Sequence, residues 1–518
     1  MGYFFVVVYP FFVVINYNMN PAILLLFVIM YFGVLLGVAW YTSRKSNNDS
    51  FFIGNRNSNW MLVAFGMIGT SLSGVTFVSV PGGVSSASFY YMQLVIGYLL
   101  GYLVIAFVLL PLYYKLNLTS IYTYLEKRFG DTAHKAGASF FILSRIVGAT
   151  ARLYLVINIL QLFILDKMQV PFFVTALIIL LMILLYTFEG GVKTIIYTDT
   201  LQTTGMLVGL IACIIVIIQS LHIDFGTALS QMQAKGFTKV FNTDVKSSSY
   251  FLKHIFGGMF IAIAMTGLDQ EMMQKNISVR TLKDSQRNVL SLATILIFVN
   301  FLFLFLGGVL YLYANNKGLT VAPDDLFPTI ALNETFGTSI GIIFIIALIS
   351  ALFPSVDGAI TSLTSSYCID ILAMNKSNAT EAEKKNKRLK VHLSFAAIFF
   401  VMVLLFKAIN DKLIIDLIFK FASITYGPLL GLFAFGILTK RSLNPKFIWT
   451  ACLIALLFCL GIDIFSNPAW YEKRLHTTLG LSAISERIFS GYKIGNELII
   501  MNGLITFCAL WLISKKKV

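Results

Sequence analysis

Ser350 to Asp370 reads SALFPSVDGAITSLTSSYCID. From Thr335 to Ile369 the only charged residue is Asp357, and around it crowd Ser350, Ser355, Thr361, Ser362, Thr364, Ser365 and Ser366, with Pro354 among them. The residues leading into this stretch are apolar over the length of a bilayer-crossing helix. A carboxylate at membrane depth costs about 2.5–3.5 kcal/mol even on the mildest scale. Something must offset that cost, and among hydroxyls and carbonyls the cheapest candidate is a bound hard cation.

The rest of the chain has the same character. Its 518 residues are 58% hydrophobic and 12% charged, with a mean hydropathy of +0.82, whereas a soluble domain carries about 25% charged residues. The expected fold class is therefore an all-α polytopic membrane protein of about thirteen spans. Numbered from zero, they fall near 22–42, 57–84, 88–114, 136–165, 171–188, 193–220, 250–274, 288–313, 336–373, 391–408, 411–439, 445–467 and 496–514, which makes the opening stretch span 8. The first residues, MGYFFVVVYPFFVVINYN (1–18), form a hydrophobic extension over about 1–20. They lack a basic n-region and a cleavage site and are too short to span. An interfacial segment and a start-site extension ahead of Met19 both remain open.

The net charge of +15 does not imply nucleic acid, because most of the 39 Lys and Arg fall in alternate short loops once 43–56 is placed inside. That is the positive-inside pattern. It puts the amino terminus outside, the carboxyl terminus in the cytoplasm, and the chain in the plasma membrane as a multi-pass protein with the lipid bilayer as its partner. The five cysteines lie in or beside apolar runs without metal-ligand spacing and read as packing residues. No nucleophile–base pair, phosphate loop or HExxH motif suggests an enzyme.

Four other spans carry polar chemistry. Span 1 centres on GMIGTSLSGVTFVSVPGG (66–83). Small residues there fit either close helix packing or a discontinuous helix whose freed carbonyls face a cavity; the lack of bulky apolar side chains favours the second. Span 3 carries Arg145 and Arg152, on one face two turns apart. An intramembrane arginine is functional by default, paired with an acid such as Asp357 or with an anionic ligand. Arg145 lies nearer the cytoplasmic end and is expected to snorkel. In span 5, Asp199 stands between Thr198 and Thr200, either as a helix cap or as part of a site. Asp269 and Glu271 close span 6 as gate or loop contacts.

Taken in order, GTSLSGVTF in span 1, TSIYTYLEKRFG (119–130), YTDTLQ (197–202), GLDQEMMQKN (267–276) and the span 8 stretch through CID resemble the sodium:solute symporter family, over roughly 22–440. The resemblance implies two five-helix inverted repeats of the leucine-transporter type, 57–220 and 250–439, each opening on a broken helix. An additional helix at 22–42 and two C-terminal helices within 445–514 would flank them. It implies Na+ as the coupling ion, with the shared sodium site on the span 1 carbonyls of Gly69 and Leu72 and on Ala351 and Ser355 of span 8. Pro354 stands where the family has a hydroxyl residue, removing one ligand; as proline it clashes with the carbonyl of Ser350 and opens the turn around Ala351. A possible second sodium would lie between Asp199 and Asp357, since two like charges need either a cation or a proton.

The resemblance places substrate against the broken span 1, beside Ser71, Ser73 and Thr76, with Gln93 of span 2 opposite. Sugar-transporting members carry a Tyr-Trp pair before Gly-x-Asn-Gln; here those positions are Met265 and Thr266, followed by Gly-Leu-Asp-Gln. Arg152 matches an arginine that pairs with the substrate carboxylate in sialic-acid-type members. The expectation is a sodium-coupled symporter importing a small organic anion, such as an acidic sugar or monocarboxylate, by alternating access, with a monomer as the functional unit. The alternatives are a neutral solute (sugar, inositol or amino acid) and proton coupling on the same fold.

Overall fold

With no water in the hydrocarbon core, a spanning backbone must satisfy its polar groups within each segment, and the apolar runs form helices accordingly. The computed structural model describes residues 21–43, 48–187, 191–332, 337–409, 414–475, 477–478 and 480–516; the extension at 1–20 lies outside them. Among the described residues nine helices are long and apolar enough to cross a membrane, or up to eleven if two bent pairs count as one span each. Two shorter apolar helices, Phe172–Thr187 and Leu498–Leu512, occupy the expected positions of spans 4 and 12.

The breaks fall where polar and small residues interrupt the apolar pattern. Span 1 (Trp60–Gly82) is interrupted at Ser73, which has φ 46° and ψ 167°. A non-glycine residue at positive φ is strained, and it cannot carry the i→i−4 ladder through its position, so carbonyls in the preceding turn lose helical partners. Span 6 runs Phe251–Ala262, continues as a π-turn to Gly267, and resumes at Gln270–Ile277 after a bend of 65°. Asp269 caps the second piece, its carboxylate accepting from the backbone N–H groups of Glu271 and Met272. Span 10 bends by 43° between Leu417–Thr425 and Gly427–Leu438.

Spans 2 and 6 meet backbone to backbone. A Cβ on Gly97 would lie 2.1 Å from the Ile255 carbonyl oxygen, and one on Gly258 2.4 Å from that of Leu94. Small residues permit such an approach where the hydrophobic effect gives helices no reason to associate. Spans 1, 5 and 8 pack together in the interior. The half of span 1 that follows the break is fixed by rings from three other elements, with Phe77 5.2 Å from Phe327 and 5.7 Å from Phe303, and Phe327 4.8 Å from Phe344.

Candidate functional site

Beside the Ser73 break lies a cavity of about 90 Å³ lined by Ser71, Ser73, Thr76 and Arg152 together with tyrosines of span 2. These are four of the five residues expected at the substrate. The fifth, Gln93, is placed elsewhere. Its side-chain amide donates to the Tyr90 and Ser249 carbonyls (2.9 and 3.3 Å) and its oxygen accepts from the Asn242 backbone N–H (3.2 Å). It fastens the loop before span 6, because a buried amide must satisfy both of its ends.

The two arginines of span 3 both line the cavity but differ in their partners. Arg145 is 4% exposed and does not snorkel. It pairs with Glu271, and its Nη1 lies 3.5 Å from Asp269, which also accepts from the Tyr426 hydroxyl at 2.7 Å. The Nε of Arg152 is buried without a hydrogen-bond partner, and among the described residues Arg152 enters none of the ion pairs formed around it. It is not paired with Asp357.

Asp199 sits two turns into its helix, Gly191–Ser220, not at a cap. Its Oδ2 accepts from Lys275 Nζ at 2.7 Å and from Thr70 Oγ1 at 3.2 Å, and Lys275 also donates to Thr70 (2.8 Å) and Glu271 (3.3 Å). An ammonium group thus stands against the aspartate where the resemblance implies a second sodium. Asp357 is held separately, accepting from the Tyr186 hydroxyl at 2.9 Å and from the Gly358 backbone N–H. The Glu271 carboxylate fills the space above Gly358, where a Cβ would lie 2.2 Å from its oxygen. Lys275 and Tyr186 were not singled out from the sequence. Lys275 stood in the quoted GLDQEMMQKN motif, and its only signal was an opposite charge to Asp199.

The four residues expected at the shared sodium site lie on spans 1 and 8, which pack against each other. A Cβ on Gly69 would lie 3.4 Å from the Pro354 ring, and one on Gly74 3.7 Å from Leu352 Cα. Leu72 is the residue before the break, and Ala351 and Ser355 are fully buried on the facing helix. Ser355 Oγ donates to the Leu352 carbonyl at 2.8 Å, which leaves its lone pairs free for a cation. This donor set of carbonyls and one hydroxyl fits sodium. Pro354 presents a ring carbon to Gly69 where a hydroxyl would otherwise stand.

The remaining motifs meet at the Lys/Arg-rich end. Asp370 of CID accepts from Ser120 (2.8 Å) and Ser366 (2.7 Å) and contacts His134 Nε2 at 2.8 Å. Gln270 Oε1 accepts from the Ile121 backbone N–H at 3.0 Å. The loop TSIYTYLEKRFG is thereby bonded to both spans 6 and 8. At the other end a cavity of about 370 Å³ shares Tyr91 and Phe419 with the smaller one.

Residues 51–449 match the model of the sodium:solute symporter family. The chain belongs to that family. Two curated relatives are the sodium/sialic acid symporters SiaT of Proteus mirabilis, 25% identical over 79% of this chain and 83% of its own length, and NanT of Aliivibrio fischeri, 25% identical over 80% and 82%. A sodium-coupled monocarboxylate transporter 2 of Bos taurus is 25% identical over 86% of this chain and 73% of its own length. Among solved structures, a Na+-coupled sialic acid symporter in a substrate-bound outward-open state shares the fold with a TM-score of 0.76 at 20% identity, covering 97% of this chain and all of that one. A nucleobase-cation-symport-1 family transporter gives 0.56 at 12% identity. With the broken spans 1 and 6, these likenesses show the leucine-transporter type of fold.

Proposed function

We propose that the protein is a sodium-coupled symporter importing a small organic acid, an acidic sugar of the sialic-acid type before a simple monocarboxylate. One observation carries the choice of an anion. Arg152 lines the cavity at the span 1 break and enters no ion pair among the described residues, while the neighbouring acids are already taken by Arg145 and Lys275. A guanidinium cannot shed its proton and presents a fork matched to a carboxylate. The relatives whose names specify sialic acid or monocarboxylate support the same class.

Sodium on Gly69, Leu72, Ala351 and Ser355 bridges the two helices that flank the cavity. It shifts the equilibrium toward the outward-facing form only by its differential affinity for the two states. The basic loops are cytoplasmic, so the larger cavity opens outside, and Tyr91 and Phe419 separate it from the substrate. The contacts of Ser120, His134, Gln270 and Asp370 close the inner face until the repeats rock past one another. Lys275 is the counter-ion of Asp199, which leaves one sodium per cycle. The repeats are 57–220 and 250–439, the functional unit is a monomer, and the chain sits in the plasma membrane with its carboxyl terminus inside.

The test is thermal stabilisation of the purified protein, in sodium and in potassium, by sialic acid, glucuronate, lactate, inositol, glucose and proline. Stabilisation by an acid, in sodium only, is the expected result. Stabilisation by a neutral solute, or equal effects in both salts, contradicts the proposal.

A further inference from the structure

Asn300 belongs to no motif in the sequence, yet it carries a constraint on what the cavity accepts. It lies in the long helix of span 7, Leu282–Asn316, is 2% exposed, and lines the same cavity as Arg152. Its Nδ2 donates to the Leu296 carbonyl one turn back, at 2.7 Å. A carbonyl can only accept, so this bond fixes which end of the amide is nitrogen. The opposite end, Oδ1, is buried and has no hydrogen-bond partner among the described residues.

The cavity thus has unpartnered polar atoms on three helices: Ser71 Oγ on span 1 and Arg145 Nε beside Arg152 Nε on span 3 can all donate, whereas Asn300 Oδ1 on span 7 can only accept. Arg152 Nε, on span 3, is a donor without an acceptor; Asn300 Oδ1, on span 7, is an acceptor without a donor. A buried acceptor left unpaired by a bound ligand costs its desolvation. A site built to take a hydrogen bond therefore rejects an analogue lacking the donor far more strongly than a greasy pocket rejects a missing methylene. Asn300 is the only span 7 side chain on this cavity with such a free polar atom among the described residues.

We infer that Asn300 is a specificity residue that requires a hydroxyl or N–H donor on the substrate, in addition to the carboxylate held by Arg152. The inference rests on the anion reading above and narrows it. Hydroxylated acids are accepted, and plain carboxylates of similar size are discriminated against. Span 7 thereby reads the part of the solute that span 3 does not.

The experiment measures affinity of the purified full chain in sodium by isothermal titration. The probes are sialic acid, glucuronate and lactate, each against a counterpart lacking one hydroxyl or N–H, with propanoate opposite lactate. At least one counterpart should bind wild type about ten- to a hundred-fold more weakly. Asn300→Leu should bring that pair to within about three-fold, and Arg152→Lys should weaken both members alike. A preference that survives Asn300→Leu, or a wild type indifferent to every deletion, overturns the role of Asn300 while the response to Arg152→Lys still supports the anion reading. If no carboxylate binds, or Arg152→Lys has no effect, the anion reading falls and this inference with it. Should Asn300→Leu fail to fold, Asn300→Ala removes the same acceptor without adding bulk and carries the same comparison.

Discussion

Arg145 and Arg152 stand two turns apart on one helix and line one cavity, yet their surroundings differ. Arg145 is matched by Glu271 and Asp269, so its charge is balanced within the protein. The Nε of each arginine is unpartnered, but Arg152 enters no ion pair among the described residues and is balanced by nothing equivalent. Burying a guanidinium is expensive unless it is paired. The first arginine therefore holds spans 3 and 6 together, and the second, on the reading proposed above, is kept available for a ligand that supplies the missing anion.

The sharpest way to break this contrast is to neutralise each arginine in turn. Arg145→Gln leaves the buried Asp269 without a cation and Glu271 with Lys275 alone, and should destabilise the protein by about 3–5 kcal/mol, read as a lowered unfolding midpoint. Arg152→Gln should leave the unfolding midpoint of the ligand-free protein nearly unchanged, or raise it, and weaken acid binding about 100-fold, as expected for losing a charge-assisted bidentate pair. If the two variants behave alike, the division of labour is wrong. Arg152→Lys keeps the charge but loses the fork, and should weaken binding about ten-fold without altering stability. The smallest effect is expected at the neighbouring ion site. Ser355→Ala removes one of the proposed sodium ligands and should raise the sodium concentration for half-maximal binding about five- to ten-fold, with little change in the order of preferred acids. If sodium dependence is untouched, the shared site lies elsewhere.

The same contrast shows what the sequence could and could not reveal. Spans are legible because twenty apolar residues have few other destinations, and the interruption of span 1 is legible because GTSLSG offers no lipid-facing side chains. Arg152 stands out because an arginine in a span has to be accounted for. Which arginine finds an acid is a matter of tertiary packing. Arg145 was expected to snorkel, but the bend in span 6 carries Asp269 and Glu271 to it. Lys275 reaches Asp199 from 76 positions away, and Tyr186 reaches Asp357 from 171; no periodicity encodes such distances. Gln93 has the right side chain for a substrate contact, but the loop before span 6 uses its hydrogen bonds. Asn300 gives no sequence signal, since a lone Asn in a span is most simply an interhelical hydrogen bond.

The central claim is that Arg152 holds the carboxylate of a sodium-driven solute. It is tested most directly by uptake into proteoliposomes under an inward sodium gradient, comparing sialic acid with its neutral methyl ester in wild type and in Arg152→Lys. The account predicts sodium-dependent uptake of the acid by wild type, little uptake of the ester, and a loss in the variant confined to the acid. Equal uptake of acid and ester, unaffected by Arg152→Lys, would contradict it.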